Sequence, residues 1–469
     1  MRFFRKAIIL IAVLAVAGFS YWYFEMKKAK EKKQKEEKEA LLFENTGKDI
    51  VKITIRQEGK PEIVMEREKK GLEEKGEEQG KDKWIITSPV RAQGDSYEID
   101  ALINSIKEGK REEIVWENLE KMSEYKLDKP QYSLRFFYEG DTNPHGIDFG
   151  IESLDKKKVF LRVLGKDEIL SAPIGFMNKL VKNLYDMRDK SLAYFSYDDV
   201  DEVSLLSTAG VFFLKREGDE WYLMPEKLKA SQSRIEMYIG NITYGYFVEV
   251  EEEKAESSSM KKYGLDNTRL IVNFKLKDGS NYMFMVGDRT TQGNSEYFYA
   301  TRSTDGMIFQ VKAETVYGLV KTEFDMKDRR IFDFQEDEVS SVTLKKGENS
   351  FSLLRDEKEG WIFEDTGEKI GRGYKIDSIV RGITNAEYEV REPVKRGDKY
   401  WSETGIDDPA YYVALHFKDK RRPIDVRLTE KDEKTSMLWL TPDNGETAYL
   451  TSGYFLSNFP ESREDLLEQ

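Results

Sequence analysis

The sequence predicts an α+β chain: an N-terminal transmembrane helix followed by three tandem repeats of a mostly antiparallel β module, with one or two helices each. Three observations predict it. Trp84, Trp221 and Trp361 stand about 137 and 140 residues apart, each after a β-like run and a polar turn. A Leu-Asp or Ile-Asp pair follows each tryptophan, within Tyr125–Pro130, Tyr263–Thr268 and Thr404–Pro409. A basic landmark occurs twice, as MRDKSL from Met187 to Leu192 and as KDRRIF from Lys327 to Phe332. Landmarks in one order at one period mark an internal repeat. The period is long enough for each copy to be a small domain.

Composition agrees. A chain of 469 residues has room for about three domains. Its apolar share of 39% lies below the roughly 45–50% of ordinary globular proteins, as expected of small modules with much surface. The net charge of −13, with no basic stripe, argues against a nucleic-acid partner. The chain has no cysteine, which excludes disulfides, thiolate metal sites, cysteine nucleophiles and a lipidated cysteine. That usage fits an exported protein.

Residues 1–24 read as a signal anchor. Arg2, Arg5 and Lys6 precede an apolar run from Ala7 to Phe24 in which Ser20 is the only polar side chain. About 18 residues is near the minimum for a spanning helix. Tyr21, Trp22, Tyr23 and Phe24 form an aromatic belt at its far end, where amphipathic rings sit at a membrane interface. A cleaved signal peptide ending at Ala15-Val16-Ala17 is the competing reading. The run continues past that point, which favours a retained anchor. Residues 25–45 form a charged juxtamembrane stalk. Its lysines, taken alone, would keep the body inside the cell; the short basic tail before the apolar run is the export layout.

Module 1 spans 46–195, module 2 196–333 and module 3 334–469. Alternation in Ile50–Ile55 opens the first as a strand. The charged stretch Glu66–Lys83 reads as a hairpin loop before Trp84-Ile85-Ile86. Asp95–Glu108 is an amphipathic helix with Ile99, Leu102, Ile103 and Ile106 on one face, capped by Asp95 or Ser96. Strands follow at 113–116, 131–138, 159–163 and 168–172, then a closing helix over 174–187. Module 2 repeats this plan with a helix at 232–241, and module 3 with a helix near 374–383. The joints at 197–201 and 333–338 are short and polar, without a Pro/Gly linker.

Each tryptophan follows a turn and lies on a strand, where a large ring anchors sheet against helix; a sugar-stacking platform is the alternative. In the second landmark, Leu127, Leu265 and Ile406 plug the core. Asp128, Asp266 and Asp407 are placed to cap a turn through the side chain. No catalytic, cofactor or metal site emerges. His145, in a Thr-Asn-Pro-His-Gly turn, and His416, in a strand, occupy non-equivalent positions. The acidic runs Glu251–Glu253 and Asp333–Glu338 read as solvated connections.

The order of strand, Gly-Asp-Glu-Trp, proline, helix, acidic strand, Tyr-Gly-Leu-Asp, meander and basic close resembles the bacterial envelope family catalogued as domain of unknown function (DUF) 4340. Module 2 carries it best, in Phe213–Arg216, Gly218–Trp221, Tyr263–Asp266 and Lys327–Arg330, although Thr268 stands where the family has proline. The resemblance implies an inner-membrane, single-pass protein with a periplasmic body. It also implies an accessory role beside an ABC-type transporter, gliding-related systems included, and carries no catalytic residues. The expected function is a non-catalytic interaction scaffold, with no cofactor, anchored in the membrane through residues 7–24. A glycan- or lipid-binding protein with sites between modules is the alternative, and the oligomeric state stays open.

Overall fold

A computed structural model of the chain describes residues 22–28, 30, 32, 40–44, 46–68, 83–442 and 445–467. Three mostly antiparallel sheets with short helices make it an α+β protein. The first sheet comprises β1 (Ile50–Gln57), β2 (Ile63–Glu68), β3 (Lys83–Ser88), β4 (Ala92–Gln93) and β5 (Glu113–Trp116). It continues with β6 (Tyr132–Tyr138), β7 (His145–Glu152), β8 (Lys158–Val163) and β9 (Ile169–Pro173). Their order is β4-β3-β2-β1-β6-β7-β8-β9-β5.

The second sheet has β10 (Val200–Ser207), β11 (Val211–Glu217), β12 (Glu220–Met224), β13 (Leu228–Lys229) and β14 (Phe247–Glu252). Then come β15 (Leu270–Leu276), β16 (Asn281–Gln292), β17 (Ser295–Arg302) and β18 (Ile308–Lys312). It holds the runs β13-β12-β11 and β10-β15-β16-β17-β18-β14. The third has β19 (Val339–Lys346), β20 (Asn349–Asp356), β21 (Gly360–Phe363), β22 (Val394–Lys395), β23 (Tyr411–Phe417), β24 (Ile424–Leu428), β25 (Met437–Pro442) and β26 (Thr447–Ser452). Its order, β21-β20-β19-β23-β24-β25-β26-β22, follows the same plan.

The helices are α1 (Ser96–Glu108), α2 (Ile174–Leu180), α3 (Leu184–Met187), α4 (Gln232–Thr243) and α5 (Ser257–Lys262). They continue with α6 (Ala313–Leu319), α7 (Glu323–Met326), α8 (Gly373–Thr384) and α9 (Arg463–Leu467). The chain forms two compact units, 1–209 with 238–320, and 210–237 with 321–469. Residues 196–333 contribute to both.

Helix α1 shows how sequence sets an element. Asp95 accepts from the amides of Tyr97 and Glu98, and Gly109 ends the helix. Ile99, Leu102, Ile103 and Ile106 are buried on one face. Burying each such side chain is worth about 1.5–3 kcal/mol relative to exposure. In chain order α1 lies between β4, on one edge of the first sheet, and β5, on the other. The first core gathers these residues with Trp84, Phe136, Phe149 and Met187. The third gathers Trp361, Ile376, Ile379, Val380, Phe417 and Leu466.

Most of the membrane segment lies outside the described residues, and several other expectations need correction. Trp22, Tyr23 and Phe24 are exposed on a helical segment, 22–28. Tyr21 and the rest of the 7–21 run lie outside the described residues. Among the described residues no helix is long and apolar enough to cross a membrane. Glu66–Glu68 and Lys83 belong to strands β2 and β3 rather than to a loop, while 69–82 lie outside the described residues. The closing helix over 174–187 is two helices. Val181 turns extended, and Asn183 with Asp186 forms a reciprocal cap that starts α3 afresh. His145 opens strand β7, paired with Phe136, instead of sitting in a turn. Its Nε2 lies 3.0 Å from Asp141. Helix α5 was not foreseen.

One buried charge cluster sits in the first sheet. Asp148 accepts from Ser133 at 2.8 Å, Arg135 at 2.5 Å and Arg162 at 2.7 Å. Burial pushes its carboxyl up, but the hydrogen bonds from Arg162, Arg135 and Ser133 outweigh that and hold it below the usual carboxylate range. A depressed folded pKa gives stability that is complete above the unfolded pKa of about 3.9 and is lost as pH falls through the folded value. Acid titration of unfolding should therefore lose a component below about pH 4 that is missing in Asp148→Asn; identical acid limbs would refute this. Trp221, at 1% exposure, is expected to cost about 3–5 kcal/mol on Trp221→Ala, read as a lower denaturation midpoint in urea.

Candidate functional site

Trp84, Trp221 and Trp361 are all buried, on β3, β12 and β21. Their carbonyls do equivalent work. That of Trp84 accepts from Gly94 at 2.8 Å, that of Trp221 from Ala230 at 2.9 Å and that of Trp361 from Ile370 at 3.0 Å. Each tie holds the chain just ahead of the long helix that follows. The ring anchors the core, and its backbone sets where the helix starts.

Leu127, Leu265 and Ile406 are buried too. The residue before each is left-handed: Lys126 at φ 54, Gly264 at φ 68 and Gly405 at φ 66. That turn throws the leucine or isoleucine inward. The carbonyl of Tyr125 accepts from Ile151 and that of Tyr263 from Asp288. These carbonyls lie so close to Gly150 and Gly287 that an added Cβ would sit 2.1 and 2.2 Å away. The aspartates depart from the expected turn cap. Asp128 accepts from the Ser123 hydroxyl at 3.1 Å. Asp407 accepts from Trp401 Nε1 and from Arg396, both at 2.9 Å. Asp266 is exposed.

The basic landmark turns out to be a connector strand bonded on both sides. On one side, Met187 O accepts from Asp95 N at 2.8 Å and Asp189 N donates to Gln93 O at 2.9 Å. On the other, Leu192 N donates to Gly245 O at 2.9 Å and Lys190 O accepts from Phe247 N at 3.0 Å. The second landmark repeats these bonds. Met326 O accepts from Ser231 N and Asp328 N donates to Lys229 O. Ile331 N donates to Ala386 O and Arg329 O accepts from Tyr388 N. The structural register thus matches Met187 to Met326, one residue earlier than the pairing with Lys327 read from sequence.

Sequence reading missed two further members of this set. Leu42 N donates to Gly109 O and Ala40 O accepts from Arg111 N, which reproduces the second half of the connector before the first sheet. Leu466 O accepts from Arg372 N, which reproduces the first half at the third sheet. The signal available was the cap pattern: Asn183 with Asp186, Thr322 with Asp325 and Ser462 with Asp465, each followed by a buried Met187, Met326 or Leu466.

Charge reinforces the connectors. Arg188, 4% exposed, pairs with Glu253 at 2.7 Å, and Lys327 pairs with Glu392 at 2.7 Å. Burial would lower the Lys327 ammonium, but the Glu392 hydrogen bond and charge raise it. Arg302, also buried, donates to the carbonyls of Ser191 and Leu192 and to Asp305. Glu251 and Glu252 are therefore not part of a solvated connection: both lie on β14, bonded to Gln310 and Ser259. Beside the first connector is a cleft of about 470 Å³ lined by Arg91, Arg188, Tyr194, Glu253, Arg302 and Asp305 among others. Burial pushes the Tyr194 phenol up, with Asp189 adding to it.

Buried backbone bonds of this kind open only with their surroundings. In hydrogen exchange the amides of Leu192, Phe247, Ile331 and Tyr388 should exchange as slowly as the central strands; exchange at loop rates would show that the connectors are not part of the folded core.

The sequence profile described as Domain of unknown function (DUF4340) matches residues 84–253 and 224–409. Each match begins in the tryptophan hairpin of one sheet, contains one whole connector and ends beyond the long helix of the next. The two overlap across β13, α4 and β14. No curated protein matches the chain, and no solved structure does either. Two overlapping matches that together span 84–409 place this chain in the DUF4340 family.

Proposed function

We propose that the chain is a non-catalytic, membrane-tethered envelope scaffold. In this reading it is three tandem copies of one module, at about 46–195, 196–333 and 334–469, held at the bacterial inner membrane through 7–24 with the body outside the cytoplasm. Its role is that of an accessory component of an ABC-type transport or gliding-related system. The observation that carries the reading is what recurs. Backbone ties and buried plugs come back three times, and the connector comes back twice whole and twice in half. The titratable groups of note do not: His145 opens β7, whereas His416 lies exposed on β23 opposite Ser341. An array that repeats its architecture and not its reactive groups multiplies surface rather than chemistry.

The surface is suited to contact. Tyr97, Tyr244, Tyr374 and Tyr454 are 80%, 80%, 62% and 70% exposed. Aromatic side chains are enriched where proteins meet. A second reading, binding of a glycan or lipid headgroup, is favoured by the cleft at the first connector, where tyrosine and two buried arginines stand together.

The test is purification of the full chain from native membranes in mild detergent. Transporter subunits recovered in stoichiometric amount are the expected result. Recovery of the chain alone, with saturable binding of envelope glycan or lipid, would replace the scaffold with the second reading.

A further inference from the structure

Three short segments share one chemistry and fill one kind of groove. Each has a polar cap residue, an aspartate three positions on and then a buried Met or Leu: Asn183–Met187, Thr322–Met326 and Ser462–Leu466. In the first and third, the buried residue shares a core with the tryptophan and the long helix: Met187 with Trp84 and Ile99, and Leu466 with Trp361 and Ile376. In each, one amide ahead of the helix donates to the carbonyl of the buried Met or Leu.

The grooves differ in what holds the segment. In the first two, the amides of Asp189 and Asp328 bond to the chain ahead of the helix, and Lys182 beside the first segment pairs with Glu98 at 3.1 Å. In the third, side chains of the groove grip the aspartate itself. Arg372 and Lys375 reach Asp465 at 3.1 and 2.6 Å. Arg463 pairs with Asp365 at 2.8 Å and lies 3.9 Å over the Phe363 ring. Charge-assisted hydrogen bonds to a carboxylate recognise a side chain whatever covalent link carries it.

We propose that the groove between Trp361, Ile370–Arg372 and the first turn of α8 is a peptide-binding slot that accepts the same short helix in trans. Its partner is a protein segment bearing Asn, Thr or Ser, then Asp three residues on, then Met or Leu. The occupant Arg463–Leu467 competes for the slot from within the chain. This gives the scaffold reading a contact site and rests on it.

The experiment uses the full chain with Asp465→Ala and Leu466→Ala, which empties the slot. A fluorescent peptide of residues 320–331 is titrated by anisotropy against this variant and against the unaltered protein. Saturable binding to the variant is expected, roughly tenfold or more weaker to the unaltered chain, as a competing charged contact predicts. Binding should vanish with a peptide carrying Asp325→Ala and Met326→Ala. A variant folded by circular dichroism that binds neither peptide, or binds both alike, overturns the proposal. Should the variant unfold, a photo-crosslinking version of the peptide is used on the unaltered chain. Adducts within 361–375 support the slot, and adducts elsewhere or none overturn it. The purified chain contains no membrane or transporter, so failure here leaves the scaffold reading to the membrane purification.

Discussion

A peptide group taken out of water must find partners on both of its polar sides, and the connectors Met187–Leu192 and Met326–Ile331 meet that demand by bonding along both edges. The first half of each lies against the chain that leads into a long helix, and the second half against the chain that leaves the next one. Helix position, sheet closure and the burial of Met187 and Met326 all follow from that double attachment. Loosening it would expose a core methionine and orphan several amides at once. Each such amide costs about 1–3 kcal/mol when buried unpaired. The Arg188–Glu253 and Lys327–Glu392 pairs add to these bonds from largely buried cations, and removing one partner of such a pair would leave the other charge uncompensated.

Much of the fold was legible because it is written in side chains. The tryptophans, the Leu-Asp pairs and the 3.6-residue period of α1 each demand a residue type, and the three long helices and most strands lie at the expected places. What escaped was written in backbone. The connectors at Ala40–Leu42 and Ser462–Leu466 use amides and carbonyls that any residue supplies, so Leu41-Leu42 and Asp465-Leu466 carry no basic signature. The register slip between the two basic landmarks has the same origin. Lys327 stands where Arg188 stands, and only the hydrogen bonds tell which methionine matches which. Strand β7 was hidden by Pro144 and Gly146 around His145, residues that read as a turn. Gly146 is needed there because an added Cβ would lie 2.4 Å from the Leu134 carbonyl across the sheet.

The second landmark shows how one geometry tolerates different residues. A left-handed residue must precede the buried Leu or Ile, and glycine does this without strain. Lys126 does it in the first sheet at φ 54, a conformation that costs a residue with a Cβ about 1 kcal/mol. The neighbouring Tyr125 carbonyl and the glycine beneath it hold that turn from outside. The aspartate that follows is freer. It meets a serine, solvent or a tryptophan with an arginine in the three settings, which is why its role was misread from the sequence.

The family match does not coincide with a sheet: it starts inside one and ends inside the next, with a connector at its middle. The segment that the family profile matches is thus out of phase with the segment that closes a core. The two matches share 224–253, so one period is shorter than one match, and a period added between them would bring one joint together with the half-cores that flank it. Arrays of this kind can lengthen or shorten by one period without ever passing through a chain with an open core, and the number of modules becomes a quantity that selection can tune separately from their fold.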